Sequence, residues 1–341
     1  MVLSKARRQY SNLISILNAV VVPPLIALIV SGSLVALLLR GRVASLALDL
    51  PNARSLHATP TPRLGGVGII AGIAAAWGYA SPAIDPLLLI ALVLLAGVSL
   101  LDDFKSVGVA WRLLIHLASA VLAVAAVLRG NDWWMLAIAA LATAWMINLY
   151  NFMDGADGLA GGMAVIGFGG YGVAALAGGD FSFAAVTLSV AAAALGFLLF
   201  NFPPARVFMG DVGAIPLGCL AAVLDLTGWQ RGDWPWWFGL VIFSPFIVDA
   251  SLTLAKRLLR GARVWQAHRE HYYQRLVQSG WGHRKTAYAE YALMLACSGA
   301  ALGGMRQDPV LQAALLAVVA LLYTSLAVAL EKYFARHAQN Y

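Results

Sequence analysis

The sequence predicts an all-α integral membrane protein with about eleven transmembrane helices, its charged loops gathered on the cytoplasmic face. Composition is the first observation: 61% of the 341 residues are hydrophobic and 11% are charged, whereas a soluble domain carries about 25% charged residues. The mean hydropathy is +0.78. The apolar residues also come in runs of about twenty, enough to cross a bilayer as a helix, whereas barrel strands alternate over about ten. Charge placement, taken up below, is the third. The two cysteines, Cys219 and Cys297, lie in apolar segments and give neither a disulfide framework nor a zinc spacing.

The runs place spans near 13–39, 65–80, 86–101, 111–129, 133–150, 158–178, 182–201, 211–227, 236–256, 286–305 and 309–331. The first is too long for a signal-peptide core, and Pro23–Pro24 predict a kink in it. No soluble domain or clear repeat interrupts the series, so residues 1–341 read as one polytopic domain whose largest loop is 257–285. The loops after spans 1, 3, 5, 7 and 9, with the C-terminus, hold 17 of the 23 Lys and Arg, and the opposite loops hold only Arg129, Arg231 and Arg306. By the positive-inside rule the rich set is cytoplasmic. Lys5, Arg7 and Arg8 precede span 1 and oppose that orientation. An N-terminal segment lying on the surface, or a span count off by one, would reconcile them. The net charge of +7 needs no nucleic acid; it fits a face that meets anionic lipid and phosphate.

The loops on the rich side carry the chemistry. Asn148–Gly162, NLYNFMDGADGLAGG, holds two amides, two carboxylates and four glycines beside apolar spans. An acid at the centre of a membrane helix costs roughly 2.5–3.5 kcal/mol, so such acids are functional or sit at a wet helix end. If the segment is helical, Asn148, Asn151, Asp154 and Asp157 form a slowly drifting polar line. The plainer reading is a polar turn whose Asn and Asp cap the next helix. The first loop, LDLPNARSLHATPTPRLGG, sets Arg54, His57 and Arg63 on a proline-stiffened backbone suited to a phosphate. Span 3 ends in SLLDDFKSVG, where Asp102 and Asp103 oppose the helix macrodipole and Lys105 follows. Capping does not explain this pair; solvation of the helix end would, as would binding Mg²⁺ or orienting a charged substrate.

Span 7 ends in FNFPPARVFMGDVG. Here Phe208 could stack a base, Asp211 could hold a metal or cap span 8, and Gly210 and Gly213 could admit phosphate. RGNDWWM and GWQRGDWPWW read as outer turns with interfacial tryptophans. Asp249, inside span 9, is either a buried partner for a basic residue or a functional group near the inner half. In the 257–285 loop His268 and His271 share a helical face beside Arg269 and Gln274, a set that suits sugar and phosphate better than zinc; the plainer reading is an amphipathic surface helix. The last two spans read as packing.

Together PNARSLHATPTPRLGG, LLDDFK, NLYNFMDGADGLAGG, FNFPPARVFMGDVG and HREHYYQRL resemble the polyprenyl-phosphate N-acetylhexosamine-1-phosphate transferases. That family includes phospho-N-acetylmuramoyl-pentapeptide transferase and the enzymes that initiate O-antigen and enterobacterial common antigen. Eleven spans resemble the O-antigen and common-antigen branch. HREHYYQRL departs from the consecutive histidines of the peptidoglycan branch, which argues against a muramoyl-pentapeptide donor.

The resemblance implies transfer of N-acetylhexosamine-1-phosphate from a UDP-sugar to undecaprenyl phosphate in the bacterial inner membrane, with release of UMP. That is an early step of lipopolysaccharide or other envelope polysaccharide synthesis. It implies Mg²⁺, or Mn²⁺ in its place, on Asp211, with Asp102 and Asp103 serving the acceptor phosphate or the metal and Asn151 and Asp154 completing the polar centre. Gly155, Asp157, Asn201 and Phe208 would form the uridine pocket. Arg54, Arg63 and Lys105 would supply phosphate charge, and His268, Arg269 and His271 would meet the sugar. A homodimer is the family expectation. Direct attack by the lipid phosphate and a covalent aspartyl intermediate are both conceivable. The first is favoured because a phosphate monoester with a second pKa near 6 is mostly dianionic at pH 7. A nucleotide-sugar or lipid carrier is the alternative of a different class, and the donor sugar stays open among GlcNAc, QuiNAc and FucNAc.

Overall fold

Without water to bond to, an apolar chain must satisfy its own backbone, and every predicted span forms helix. The computed structural model describes residues 2–41, 47–51, 55–57, 59–104, 107–263, 266 and 268–338, without the side chains of 2–16, 103–104 and 337–338. In chain order the helices are α1 (Val2–Arg40), α2 (Gly65–Ala80), α3 (Pro86–Phe104), α4 (Val109–Val127), α5 (Trp133–Phe152), α6 (Leu159–Gly178), α7 (Phe181–Asn201) and α8 (Asp211–Arg231). They continue with α9 (Phe238–Ile242), α10 (Ser244–Leu259), α11 (Tyr272–Leu276), α12 (Gly282–Gly304) and α13 (Pro309–Ala338), and a five-residue π turn, Val277–Trp281, joins α11 to α12. Among the described residues seven helices are long and apolar enough to cross a membrane, and Gly65–Ala80 and Pro86–Asp102 are shorter apolar helices.

Several features depart from expectation. The helix of span 1 extends without interruption through Pro23 and Pro24 and back to Val2. The predicted ninth span is two helices that break at Phe243, where Pro245 in the first turn of α10 starts a new helix. A two-residue antiparallel ladder, β1 (Leu48–Asp49) with β2 (Thr61–Pro62), closes the first loop on itself. Tryptophans of the 228–237 stretch also divide. Trp236 is exposed, but Trp234 and Trp237 are buried. Trp234 stacks on Tyr171 at 5.2 Å and donates to the Asp225 carboxylate at 3.0 Å. An indole with a buried hydrogen-bond partner belongs to the core, whatever its position in a loop. Finally, none of the most apolar stretch of α13 is buried, so this helix lies at the periphery instead of packing within the bundle.

The core centres on α5, α6, α7 and α8, with Tyr150, Phe168, Phe197 and Phe246 fully buried in it. The helices that carry the site cross without side chains between them. A Cβ on Gly66 would lie 2.3 Å from the Gly213 nitrogen, and one on Gly213 would lie 2.7 Å from the Gly66 Cα, so the first turns of α2 and α8 touch backbone to backbone. Gly66→Ala is therefore expected to lower stability by about 1–3 kcal/mol or more, because backbone cannot move aside as a side chain would. Thermal unfolding in detergent checks this; a wild-type midpoint would mean that the two helices can separate freely.

Candidate active site

Consecutive helices run in opposite directions, so the C-terminal ends of α1, α3, α5 and α7 meet the N-terminal ends of α2, α4, α6 and α8 at one end of the bundle. Arg63, Asp102, Asn151, Asp154, Phe208 and Asp211, all singled out in the sequence, lie at or beside these helix ends. The first loop is laid onto the segment before α8 by backbone bonds: Phe208 N donates to Pro62 O (2.8 Å), Gly65 N to Phe208 O (2.9 Å) and Gly66 N to Met209 O (2.8 Å). Gly210 turns the chain there with φ +70°, which a side chain would strain.

Between these loops is a polar cavity of about 310 Å³. Arg63, Asn151, Asp154, Gly155, Asn201, Phe208 and Asp211, all named from sequence, line it together with Asp49, His57 and Gln274. The His57 ring meets Phe208 edge-on at 4.9 Å. Arg63 is paired with Asp49 at 2.9 Å. Burial, reinforced by the charge of Asp211, pushes the Asp154 carboxyl well above the usual carboxylate range; a Gly210 backbone hydrogen bond and Arg63 offset this only in part.

Asp211 opens α8, where the helix dipole favours an acid. Asp102 sits near the end of α3, where the dipole opposes it. Arg112 of α4 resolves the conflict: its guanidinium donates to Asp102 Oδ2 at 2.7 Å and to Asp211 Oδ2 at 2.6 Å. The other Asp102 oxygen accepts from Val107 N at 2.7 Å. One turn further along α4, His116 is buried, with Nδ1 3.2 Å from Asn148 Oδ1.

The predicted polar line of Asn148, Asn151, Asp154 and Asp157 does not form. Helix α5 ends at Phe152, so the two aspartates lie in a turn. Asn148 faces His116, while Asn151 and Asp154 face the cavity. Asp157 does not line it: the Asp157 carboxylate accepts from Ala205 N at 3.0 Å and lies 3.3 Å from His283 Nδ1. His283 Nε2 is in turn 3.2 Å from Leu56 O, which ties the first loop to this turn. Asn201 lines the cavity, but its amide is engaged with backbone, accepting from Gly158 N (2.9 Å) and donating to Val207 O (2.9 Å).

The His268 and His271 rings meet at 4.9 Å, tilted by 33°, and neither lines the cavity. Gln274, which accepts from His271 N at 3.3 Å, connects them to it. Burial, then the neighbouring His271 and Arg257, lowers the His268 pKa to about 4, so this ring is neutral at pH 7. Arg269 is exposed, and its carbonyl accepts from Gln278. Arg54, Lys105 and the side chain of Asp103 lie outside the described residues.

The sequence reading missed Arg112, His116 and His283. Arg112 and His116 stand at i and i+4 on an otherwise apolar helix, a spacing that puts both on one face. Among the described residues no group of three His, Cys, Asp or Glu side chains is gathered as a ready metal cage. Mg²⁺ commonly takes one or two carboxylates and completes its shell with substrate phosphate and water. Asp211, with the mutually repelling Asp154 in the same cavity, is a donor set of that kind.

The model of glycosyl transferase family 4 matches residues 86–228, which run from the start of α3 into the last turns of α8. The chain is 29% identical over 266 residues to the "Probable undecaprenyl-phosphate N-acetylglucosaminyl 1-phosphate transferase" of Bacillus subtilis, covering 72% of this chain and 74% of that one. It is 28% identical over 296 residues to the decaprenyl-phosphate N-acetylglucosaminephosphotransferase of Mycobacterium tuberculosis, 72% of each chain. It is also 28% identical over 339 residues to the phospho-N-acetylmuramoyl-pentapeptide-transferase of Desulforudis audaxviator, 86% of this chain and 99% of the other.

Proposed function

We propose that the chain, which resembles glycosyl transferase family 4 from α3 to α8, is a phosphotransferase acting on polyprenyl phosphate, and that N-acetylhexosamine-1-phosphate passes from a UDP-sugar to undecaprenyl phosphate. The products are undecaprenyl-pyrophosphate-sugar and UMP. The reading extends to eleven spans in the bacterial inner membrane, a cytoplasmic site and a role in starting O-antigen or a related envelope polysaccharide. The observation that carries it is the polar cavity that gathers Arg63, Asn151, Asp154, Phe208 and Asp211 at one end of an apolar bundle.

An oxygen of the lipid phosphate attacks the donor β-phosphorus. The new P–O bond forms as the bond from that phosphorus to the bridging oxygen breaks, and UMP carries the electron pair away. The attacking dianion needs no proton removed at pH 7, so the residues act by charge and position. Asp211 with Asp154 would hold Mg²⁺, which when bound offsets charge on the donor pyrophosphate. Arg112 keeps Asp102 and Asp211 together and so fixes the Asp211 carboxylate at the cavity. Arg63 adds positive charge from the first loop. Phe208, which packs against the His57 ring at a steep angle, would offer its ring to uracil. Asp157, Asn201 and His283 brace the loops that form the pocket wall.

UMP release by the detergent-solubilised protein tests the reading, with undecaprenyl phosphate, Mg²⁺ and a panel of UDP-N-acetylhexosamines offered singly, with and without EDTA. Release that requires lipid, metal and one particular sugar is expected. UMP formed without lipid would overturn direct attack, and no release with any sugar would overturn the assignment.

A further inference from the structure

Asp249 has no part in the chemistry above, yet it is a buried acid of α10, and four groups converge on its carboxylate. Oδ1 accepts from Tyr272 N at 2.8 Å and from Thr253 Oγ1 at 3.1 Å, and it lies 3.3 Å from His271 Nδ1. Oδ2 accepts from Tyr273 N at 3.0 Å. Thr253 is on α10 itself; the other three groups belong to the start of α11. A five-residue helix cannot hold itself in place, since one helical turn fixes several residues for very few hydrogen bonds. Its first amides point at an ionised acceptor fixed in another helix.

From that anchor contacts lead to the cavity. The His271 ring stacks on Phe152 (6.2 Å, 26°) and on Tyr273 (5.9 Å, 18°). Tyr273 Oη donates to Phe152 O at 2.9 Å. A Cβ on Gly155 would fall 2.2 Å from that hydroxyl and 3.2 Å from Gln274 Nε2, so α11 rests directly on the Asp154–Gly155 turn. Gln274 lines the cavity.

We propose that Asp249 is a positioning residue that holds α11, and through it His271 and Gln274, against the part of the cavity that receives the donor beyond its nucleotide. The proposal rests on the transferase reading for the identity of the donor. Its structural half, an acceptor in α10 that orders α11, stands on the hydrogen bonds alone. The buried acid of α10 is thus an organising group for the short helix that follows, which accounts for its burial without any transport role.

Asp249→Asn keeps the size and removes one of the two acceptor oxygens that the Tyr272 and Tyr273 amides share. The KM for UDP-GlcNAc, or for whichever UDP-sugar of the panel supports turnover, is expected to rise about tenfold, the effect of one charge-assisted hydrogen bond. The KM for undecaprenyl phosphate and competitive inhibition by UMP, which lacks the sugar and the β-phosphate, should stay within about twofold of wild type. Hydrogen exchange at the Tyr272 and Tyr273 amides should accelerate while the rest of α10 keeps its protection. An unchanged donor KM, or equal losses for donor, lipid and UMP, would overturn the proposal, because a merely structural role moves all three together. If Asp249→Asn does not fold, Thr253→Val, which removes one contact to the carboxylate, decides in its place: about a two- to threefold rise in donor KM alone supports the proposal, and no selective rise overturns it. A wild-type protein that releases no UMP would sink the transferase reading, and the exchange measurement would still judge the anchor.

Discussion

Asp211→Ala is expected to reduce metal-dependent UMP release by about 10³-fold or more, with the KM for undecaprenyl phosphate little changed. A bound cation supplies several kcal/mol of charge stabilisation at a transferring phosphoryl group, and each 1.36 kcal/mol is a factor of about ten in rate. Asp211 is the acid best placed to hold that cation: it lies in the first turn of α8, faces the cavity and has a second carboxyl, Asp154, beside it. Part of the loss would come from elsewhere, since the substitution also removes one arm of the Arg112 bridge. A Mg²⁺ titration separates the two effects. Loss of metal binding raises the Mg²⁺ concentration needed for half-maximal rate, whereas loss of the bridge alone lowers the rate at every concentration. Full activity in Asp211→Ala would remove this residue from the site.

The second large effect is expected at Arg112, which composition and motif did not single out. Two of its nitrogens serve carboxylates on two different helices, Asp102 at the end of α3 and Asp211 at the start of α8. Lysine retains the charge but offers one nitrogen, which cannot span both acids in this geometry. Arg112→Lys is therefore expected to lose about 10²-fold in kcat, and Arg112→Ala about 10³-fold, because removing the cation leaves two half-buried carboxylates facing each other. Steady-state kinetics on the three proteins checks the order. Arg112→Lys at wild-type rate would show that only the charge matters; Arg112→Ala at wild-type rate would show that the bridge is incidental.

The sequence reading and the structure agree where a residue's environment follows from its neighbours in the chain. The apolar runs could only become helices, and alternating helix direction placed the polar loops at a common end. Phe208, Asp211 and Asn151 occupy a shared cavity because each sits within a residue or three of a helix end on that side. The reading fell short where the outcome depends on a partner far away in sequence. Asp157 and Asn201 look like ligand groups in their motifs, but backbone amides and carbonyls of other loops claim them. Trp234 looks like a membrane-interface residue until Asp225 and Tyr171 are seen around it. Asp249 stood between two interpretations until α11 was found to start on its carboxylate.

What the sequence by itself determined is the class of the molecule, the positions of its helices and the side on which its chemistry gathers. Hydropathy and charge act over lengths of a helix and need no knowledge of the fold. Only the tertiary structure decided which polar side chains face the cavity and which brace it. A carboxylate or an amide bonds whichever donor the fold brings within about 3 Å, and that donor can lie dozens of residues away. Arg112, 99 residues from Asp211 and 2.6 Å from its carboxylate, is the case on which the chemistry most depends.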